Sequence, residues 1–506
     1  MPSNPVATSQ RPPGRQIAAA AMLLGLFLLS MDVTILNVAI PSLQRDLDPT
    51  LAQVQWIVDA FALVLGATVL SCGALTDRVG RRRCFLIGLT LSAVASTAGA
   101  LSDGAAQVIA ARAVMGGAAA LMMPATLSTL THLYPEPMLR RRAYMAWTMV
   151  VGLGGLAGPA GGGWLLDHFS WRAAFWANVP LAVLAAALAV WRVPESRATH
   201  PPRVDIAGTL LSCGGLLALV WAVIESPVRG WSSPSVWIGY ALAAALLTTF
   251  ACQQQRSSHP MLPPHLMRLP RVAWVSLSTT VLCLAMFGAL FLVSLYLQGL
   301  RGYSPWEAGM RTLPMTMGLL PGAAAALPLM SRFGERVCLV SGVITTAVAF
   351  ALLATVDADS SYQLIMVFQI VSGVGVGIAS TVSQDLLMNS IPTEQAGIGS
   401  AITDATREIG ATLGVAVLGS VFATTFSSHL GTVAPGGATP AHVITALTRT
   451  TSLPAELQPL VRESFAHALS LTCLLTTALL LIDAALLWRA LTPAPSTATA
   501  VEPKAV

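Results

Sequence analysis

Fourteen long apolar runs constrain this chain more than any other feature: 17–40, 54–75, 84–102, 105–131, 143–167, 171–192, 205–225, 234–254, 271–297, 305–330, 335–355, 362–390, 395–425 and 464–490. A helix needs about 20 apolar residues to cross the hydrocarbon core of a bilayer. Composition agrees: 55% of the 506 residues are hydrophobic and only 10% are charged, where soluble domains carry about 25% charged residues. The sequence therefore predicts an all-α integral membrane protein with 14 transmembrane helices.

The basic residues orient the spans. With the N terminus inside, 19 of the 28 fall on the cytoplasmic side, six fall outside, and Arg112, Arg311 and Arg407 lie within spans. That asymmetry follows the positive-inside rule with both termini cytoplasmic, and dropping one span would reverse every later loop. The first run is too long for a secretory signal, holds Asp32 and lacks a clean cleavage site. The expected location is the cell inner (plasma) membrane.

Whole reaction classes drop out. Lys504 is the only lysine, so there is no P-loop lysine to reach a nucleotide phosphate and no lysine nucleophile. The seven cysteines are scattered and never in CxxC spacing, which suits small packing residues. None of the eight histidines forms a ligand-spaced pair on one helix. Gly373, Gly375 and Gly377 alternate inside an apolar run, which is no nucleotide site. No metal, cofactor or nucleic-acid partner is expected.

Four stretches carry a resemblance. The loop after the second run reads Gly73-Ala-Leu-Thr-Asp77-Arg78-Val-Gly80-Arg81-Arg82-Arg83. The first run ends Asp32-Val-Thr34-Ile-Leu-Asn37-Val-Ala-Ile-Pro41, and the fourth holds Arg112-Ala-Val-Met115-Gly116, with Met115 where the matching signature has glutamine. The fifth holds Gly154-Gly-Leu-Ala-Gly158-Pro159-Ala-Gly161-Gly162-Gly163. Together with Gln55-Trp56-Ile57-Val58-Asp59 these resemble the major facilitator superfamily, in its fourteen-span drug:proton antiporter branch of the quaternary-ammonium and multidrug exporter type. A degenerate second copy of the loop, Ser331-Arg332-Phe333-Gly334-Glu335-Arg336, marks an internal repeat.

The resemblance implies a chain divided into a cytoplasmic tail (1–16), a six-helix bundle (17–192), two inserted helices (205–254) and a second six-helix bundle (271–490). An extracellular loop at 427–463 interrupts the second bundle, and a disordered tail (491–506) follows. It also implies gating by Gly73, Asp77, Arg78, Gly80, Arg81 and Arg82, and a leak-limiting interface at Gly154, Gly158, Pro159, Gly162 and Gly163.

Buried charges are costly within a bilayer, so they are functional candidates. Asp32 lies about 13 Å and Arg112 about 10 Å from the outer ends of their spans at 1.5 Å per residue, close enough in depth to pair. A carboxylate between burial and an arginine is suited to taking up and releasing a proton; the alternative is a static structural pair. Asp59 sits nearer the outer end of its span, as a structural group or on a substrate path. Asp404 and Glu408 are one helical turn apart with Arg407 between, either as a self-neutralised cluster or as a proton or substrate site. The thirteenth run thus supplies a second candidate.

These readings favour a monomeric, proton-driven exporter of amphipathic drug-like compounds. Trp147, Met149, Met286, Phe287 and Phe291 could line an adaptable pocket, or face lipid and pack in the core. A dedicated exporter of a self-made antibiotic fits the same residues, whereas a non-transporting enzyme or receptor lacks a catalytic constellation. The resemblance implies that exporters of divalent cations carry an additional acid in the tenth run; here no acid follows Glu307 and Arg311 stands there instead, so monocations or neutral compounds are expected before dications.

Overall fold

The computed structural model describes residues 14–197, 204–257, 260–262, 264–357, 360–391, 396–433 and 458–491. All fourteen apolar runs are helices long enough to span a bilayer. In chain order the elements are α1 (Arg15–Leu47), α2 (Leu51–Val79), α3 (Arg81–Ala100), α4 (Ala105–Leu133), α5 (Pro137–His168), α6 (Arg172–Trp176) and α7 (Asn178–Arg192). Then follow α8 (Ile206–Arg229), α9 (Pro234–Arg256), α10 (Pro264–Met267) and α11 (Pro270–Ser294), which runs into a π-helical turn at Leu295–Leu300. The last are α12 (Pro305–Phe333), α13 (Glu335–Leu353), α14 (Tyr362–Asn389), α15 (Ala396–Val433) and α16 (Gln458–Ala490).

Local chemistry sets the boundaries. Proline, whose missing N–H costs nothing in a first turn, opens α5, α9, α11 and α12. Thr50 with Gln53, and Ser304 with Glu307, form capping boxes that satisfy the first amides of α2 and α12. Gly80 (φ 128°) and Gly334 (φ 83°) each join two helices through a conformation closed to most side chains.

The helices extend beyond their apolar cores. The two ends of the predicted loop at 427–463 are helical, because α15 continues to Val433 and α16 begins at Gln458. Ser427 and Ser428 donate to the carbonyls of Thr424 and Thr425 at 3.0 Å, so these polar residues remain helical. Residues 434–457 lie outside the described residues, as do 1–13 and 492–506, where the tails are expected.

Helix ends alternate between two faces. One, the basic face, carries Arg15, Arg81–Arg83 and Arg336; the other, the far face, carries Asp46, Asp167 and Ser304. The hydrophobic core is divided. One cluster, around Phe85, Trp171 and Phe175, is built almost wholly from α1–α7. Another, around Phe291, Phe350, Phe368, Phe422 and Phe465, comes almost wholly from α11–α16. A third, small cluster joins Val220, Val223 and Ile224 of α8 to Ala52 and Leu63 of α2 and Ala416 of α15. The two larger groups, hereafter the two halves, meet chiefly through α2 against α15 and α5 against α12.

The repeated loop is legible in three dimensions. Arg82 donates to the Val190 carbonyl at 2.7 Å, tying α3 to α7, and Arg336 likewise donates to the Trp488 carbonyl, tying α13 to α16. The degenerate copy thus keeps its anchor.

Candidate functional site

Asp32 and Arg112 form an ion pair between α1 and α4, and each residue is at most 3% exposed. The second Asp32 oxygen accepts from Asn178 Nδ2 of α7 at 2.6 Å. Arg112 Nε donates to the Ile57 carbonyl of α2 at 3.3 Å, and the guanidinium lies 4.5 Å from the centre of the Phe61 ring. One carboxylate therefore joins three helices directly and reaches a fourth through its arginine. Burial of such a pair is tolerable only when each group is fully bonded. Asn178 completes that requirement, and Ser96 of α3 stands 3.4 Å from the same amide nitrogen. Sequence reasoning missed both; the signal was an asparagine in an otherwise apolar span.

Asp59 differs. It is 1% exposed, so it does not sit among headgroups, and neither carboxylate oxygen has a hydrogen-bond partner. Four residues earlier on the same α2 face, Gln55 donates to the Val415 and Ala416 carbonyls of α15 at 3.4 and 3.5 Å. The face that carries Asp59 is therefore the one turned toward α15.

The α15 charges occupy a defined strip. Glu408, with Gly419, borders α2: a Cβ added at Gly66 would lie 2.8 Å from Glu408 Cβ. Gly410 and Gly414 border α11 at the carbonyls of Thr280 and Leu284. At 100° per residue, Asp404 and Arg407 fall between these borders. Arg407 is exposed and both acids retain accessible surface. Among the described residues Arg407 makes no salt bridge with Asp404 or Glu408, yet its charge acts on both acids and its side chain hydrogen-bonds with Cys283 of α11, so the strip combines partial internal charge compensation with accessible surface.

The loop motif is a capped turn. Asp77 accepts from Arg81 at 3.0 and 3.2 Å, and Arg81 also reaches the Ser128 carbonyl of α4 at 3.3 Å. Glu195, beyond α7, accepts the Arg82 amide at 3.2 Å and pairs with Arg83 at 3.6 Å. Gly80 leaves room for that carboxylate: a Cβ there would lie 2.8 Å from the Glu195 carboxyl carbon. Arg78 is exposed, and Gly73 packs loosely on Pro124.

The glycines of α5 make two seams. Gly154, Gly158 and Gly162, at helical spacing, face α1; a Cβ on Gly154 would come 2.9 Å from the Phe27 carbonyl oxygen, and one on Gly158 2.8 Å from the Ile35 nitrogen. Gly163 faces α12, where a Cβ would lie 2.8 Å from the Pro305 carbonyl oxygen. The Pro159 carbonyl packs on Gly309 of α12. Small residues allow such approach in lipid, where no hydrophobic drive brings helices together. Gly373 and Gly377 play the same part between α14 and α12, and Gly375 between α14 and α13.

Bonds between the two halves gather at the far face. Ser294 donates to the Asn37 carbonyl at 2.6 Å and Gln298 to the Val38 carbonyl at 3.1 Å. Asp167 accepts from Ser304 Oγ at 3.0 Å and from the Trp306 amide at 3.3 Å. Of the suggested pocket residues, Phe291 is fully buried core and Met149 is 65% exposed. Among the described residues no group of three or more His, Cys, Asp or Glu is placed to hold a metal ion. The fold does bring His429 and His467 together from α15 and α16, rings stacked 4.4 Å apart, a pairing invisible to spacing along one helix.

The comparisons agree with this architecture. The chain is 32% identical to the tetracenomycin C resistance and export protein of Streptomyces glaucescens, over 82% of this chain and 76% of that one. It is 32% identical to the multidrug efflux pump LfrA of Mycolicibacterium smegmatis, over 86% and 85%. It is 34% identical to the multidrug resistance protein Stp of Mycobacterium tuberculosis, over 80% and 76%. Among solved structures, a bacterial homologue of the human lysosomal transporter Spinster, inward-facing and unoccupied, superposes with a TM-score of 0.65 at 16% identity, covering 94% of this chain and 97% of its own. The nucleoside transporter NupG superposes with 0.60 at 10% identity, covering 95% and 100%; both share the fold. The profile of the Major Facilitator Superfamily matches residues 22–415. With fourteen spanning helices, a repeated anchored loop and that match, this chain belongs to the Major Facilitator Superfamily.

Proposed function

We propose that the protein is a proton-coupled antiporter that exports amphipathic, cationic or neutral drug-like compounds by alternating access. In this reading the basic face is cytoplasmic, residues 17–192 and 271–490 are the two moving bundles, and 205–254 are inserted between them. The observation that carries the proposal is the contrast between two buried acids near α1 and α2. Asp32 is bonded by Arg112 and Asn178, while Asp59 is buried with no partner.

An unpaired carboxylate at such depth needs a proton or a cation for compensation. Asp32 needs neither while Arg112 faces it. Protonating Asp32 removes the negative charge that compensates Arg112, whose other contacts are the Ile57 carbonyl and the Phe61 ring. Because these bonds join α1, α2, α4 and α7, a proton at Asp32 alters helix packing as well as local charge. Asp404 and Glu408, on the accessible strip of α15, are the second place for a proton or cationic substrate. In this reading the strip is reached from the basic face while the far face is closed. The resistance and efflux proteins among the relatives support the substrate class.

The test is efflux of a fluorescent lipophilic cation from energised cells carrying the protein. Wild-type efflux should stop when the proton gradient is collapsed, and Asp32→Asn should lose most of it while inserting normally. Undiminished efflux by Asp32→Asn would remove that acid from the mechanism.

A second reading is a dedicated exporter of an antibiotic made by the same cell. It is favoured by relatives named for tetracenomycin C export and for resistance to methylenomycin A. A resistance profile restricted to one compound class would select it over a broad drug exporter.

A further inference from the structure

We propose that Asp167 is the latch of the far-face closure, a positioning residue that holds α5 of one half against the start of α12 in the other. The inference rests on the alternating-access reading above. The first amides of a helix lack partners within it. In α12, Ser304 accepts the Glu307 amide at 3.2 Å and passes its own hydroxyl hydrogen to Asp167 at 3.0 Å. The Trp306 amide donates to the other Asp167 oxygen at 3.3 Å. A carboxylate on one half thus completes the helix cap of the other, and its charge also suits the positive end of the helix dipole.

Two features make the contact specific. Gly163, one turn before Asp167, lets the Pro305–Trp306 backbone approach α5, with a Cβ there lying 2.8 Å from both the Pro305 oxygen and the Trp306 Cα. The Ser294 and Gln298 bonds to α1 come from neutral groups, so Asp167 supplies a charged acceptor to this closure. Opening the far face must strip the α12 cap of that acceptor and leave the first-turn amide to water. Asp167 therefore favours the far-closed state over the far-open one without touching substrate.

The experiment is hydrogen exchange, read by mass spectrometry, on the full-length protein in lipid nanodiscs. Hydrogen bonds to charged groups are worth about tenfold to about a hundredfold in an equilibrium, and these two, being solvent-exposed, belong at the low end. In Asp167→Ala, amides at 161–168 and 304–309 should exchange about tenfold or more faster. Amides at the basic-face ends of α4 and α14 (124–133 and 380–389) should become slower as that face closes. Asp167→Asn should move in the same direction by less, and Asp167→Glu should restore part of the protection. Unchanged exchange at 161–168 and 304–309 would overturn the latch, and so would faster exchange at both faces, which marks plain destabilisation. Efflux by the same variants separates the two proposals. A shifted exchange pattern in a protein that moves no substrate leaves the latch and removes export. An unshifted pattern in an active exporter removes the latch alone.

Discussion

Both carboxylate oxygens of Asp32 are engaged, whereas both oxygens of Asp59 are not, although the two residues are almost equally buried. Substitutions should therefore act differently at the two acids. Arg112→Ala strands a buried carboxylate and should cost about 3–5 kcal/mol of stability, measured as a lowered Tm in detergent. Asp59→Asn removes no hydrogen bond, so stability should change by less than about 1 kcal/mol while efflux of cationic substrates falls. A Tm loss in Asp59→Asn as large as that in Arg112→Ala would mean that Asp59 has a structural partner. The pairing of Asp32 with Arg112 was readable from depth, because 1.5 Å per residue converts sequence position into height. Asn178 stood out only as an asparagine in an apolar span, and neither its partner nor that of Asp167 was readable. Their partners lie on helices 146 and 137 positions away, and nothing in the local pattern marks which neutral or surface group will face them.

The seams of α5 show how an element records its neighbours in glycine. Positions 154, 158 and 162 read the surface of α1, while 163 and the carbonyl of Pro159 read α12. Gly309→Ala would drive a methyl into the Pro159 carbonyl, and overpacking of this kind costs about 1–3 kcal/mol. Gly155→Ala, with nothing within 4 Å of the new Cβ, should be neutral or stabilising by up to about 1 kcal/mol through helix propensity. Thermal unfolding of the two variants side by side checks the contrast, and equal losses would refute the assignment of seams. Helix ends were less legible than helix cores. Hydropathy ends α15 where the apolar residues end, but Ser427 and Ser428 bond back to their own helix, and its backbone satisfies itself to Val433.

At the scale of the whole molecule, the number of spans and the repeat were plain in the sequence, because lipid admits few backbone solutions and the Gly80 and Gly334 turns punctuate both halves. The seat of the inserted pair was not. Near the basic face Thr209 of α8 shares a hydrogen bond with Ser71 of α2. Toward the far face the Val223 carbonyl of α8 accepts from Ser420 of α15 at 2.9 Å, and Trp231, just beyond α8, donates to Thr424 at 3.1 Å. Ser420→Ala combined with Trp231→Phe should release α8 from α15 alone. Amides at 216–224 should exchange faster and stability should fall by about 1–3 kcal/mol, with the Thr209 end unaffected; no change in exchange would show that α8 is held by packing only. These bonds fasten α8 to α2 of one half near the basic face and to α15 of the other half toward the far face. In the alternating-access reading proposed above, α8 is tied to both halves at once, so any tilt of one half against the other must carry the inserted pair with it or break one of these bonds.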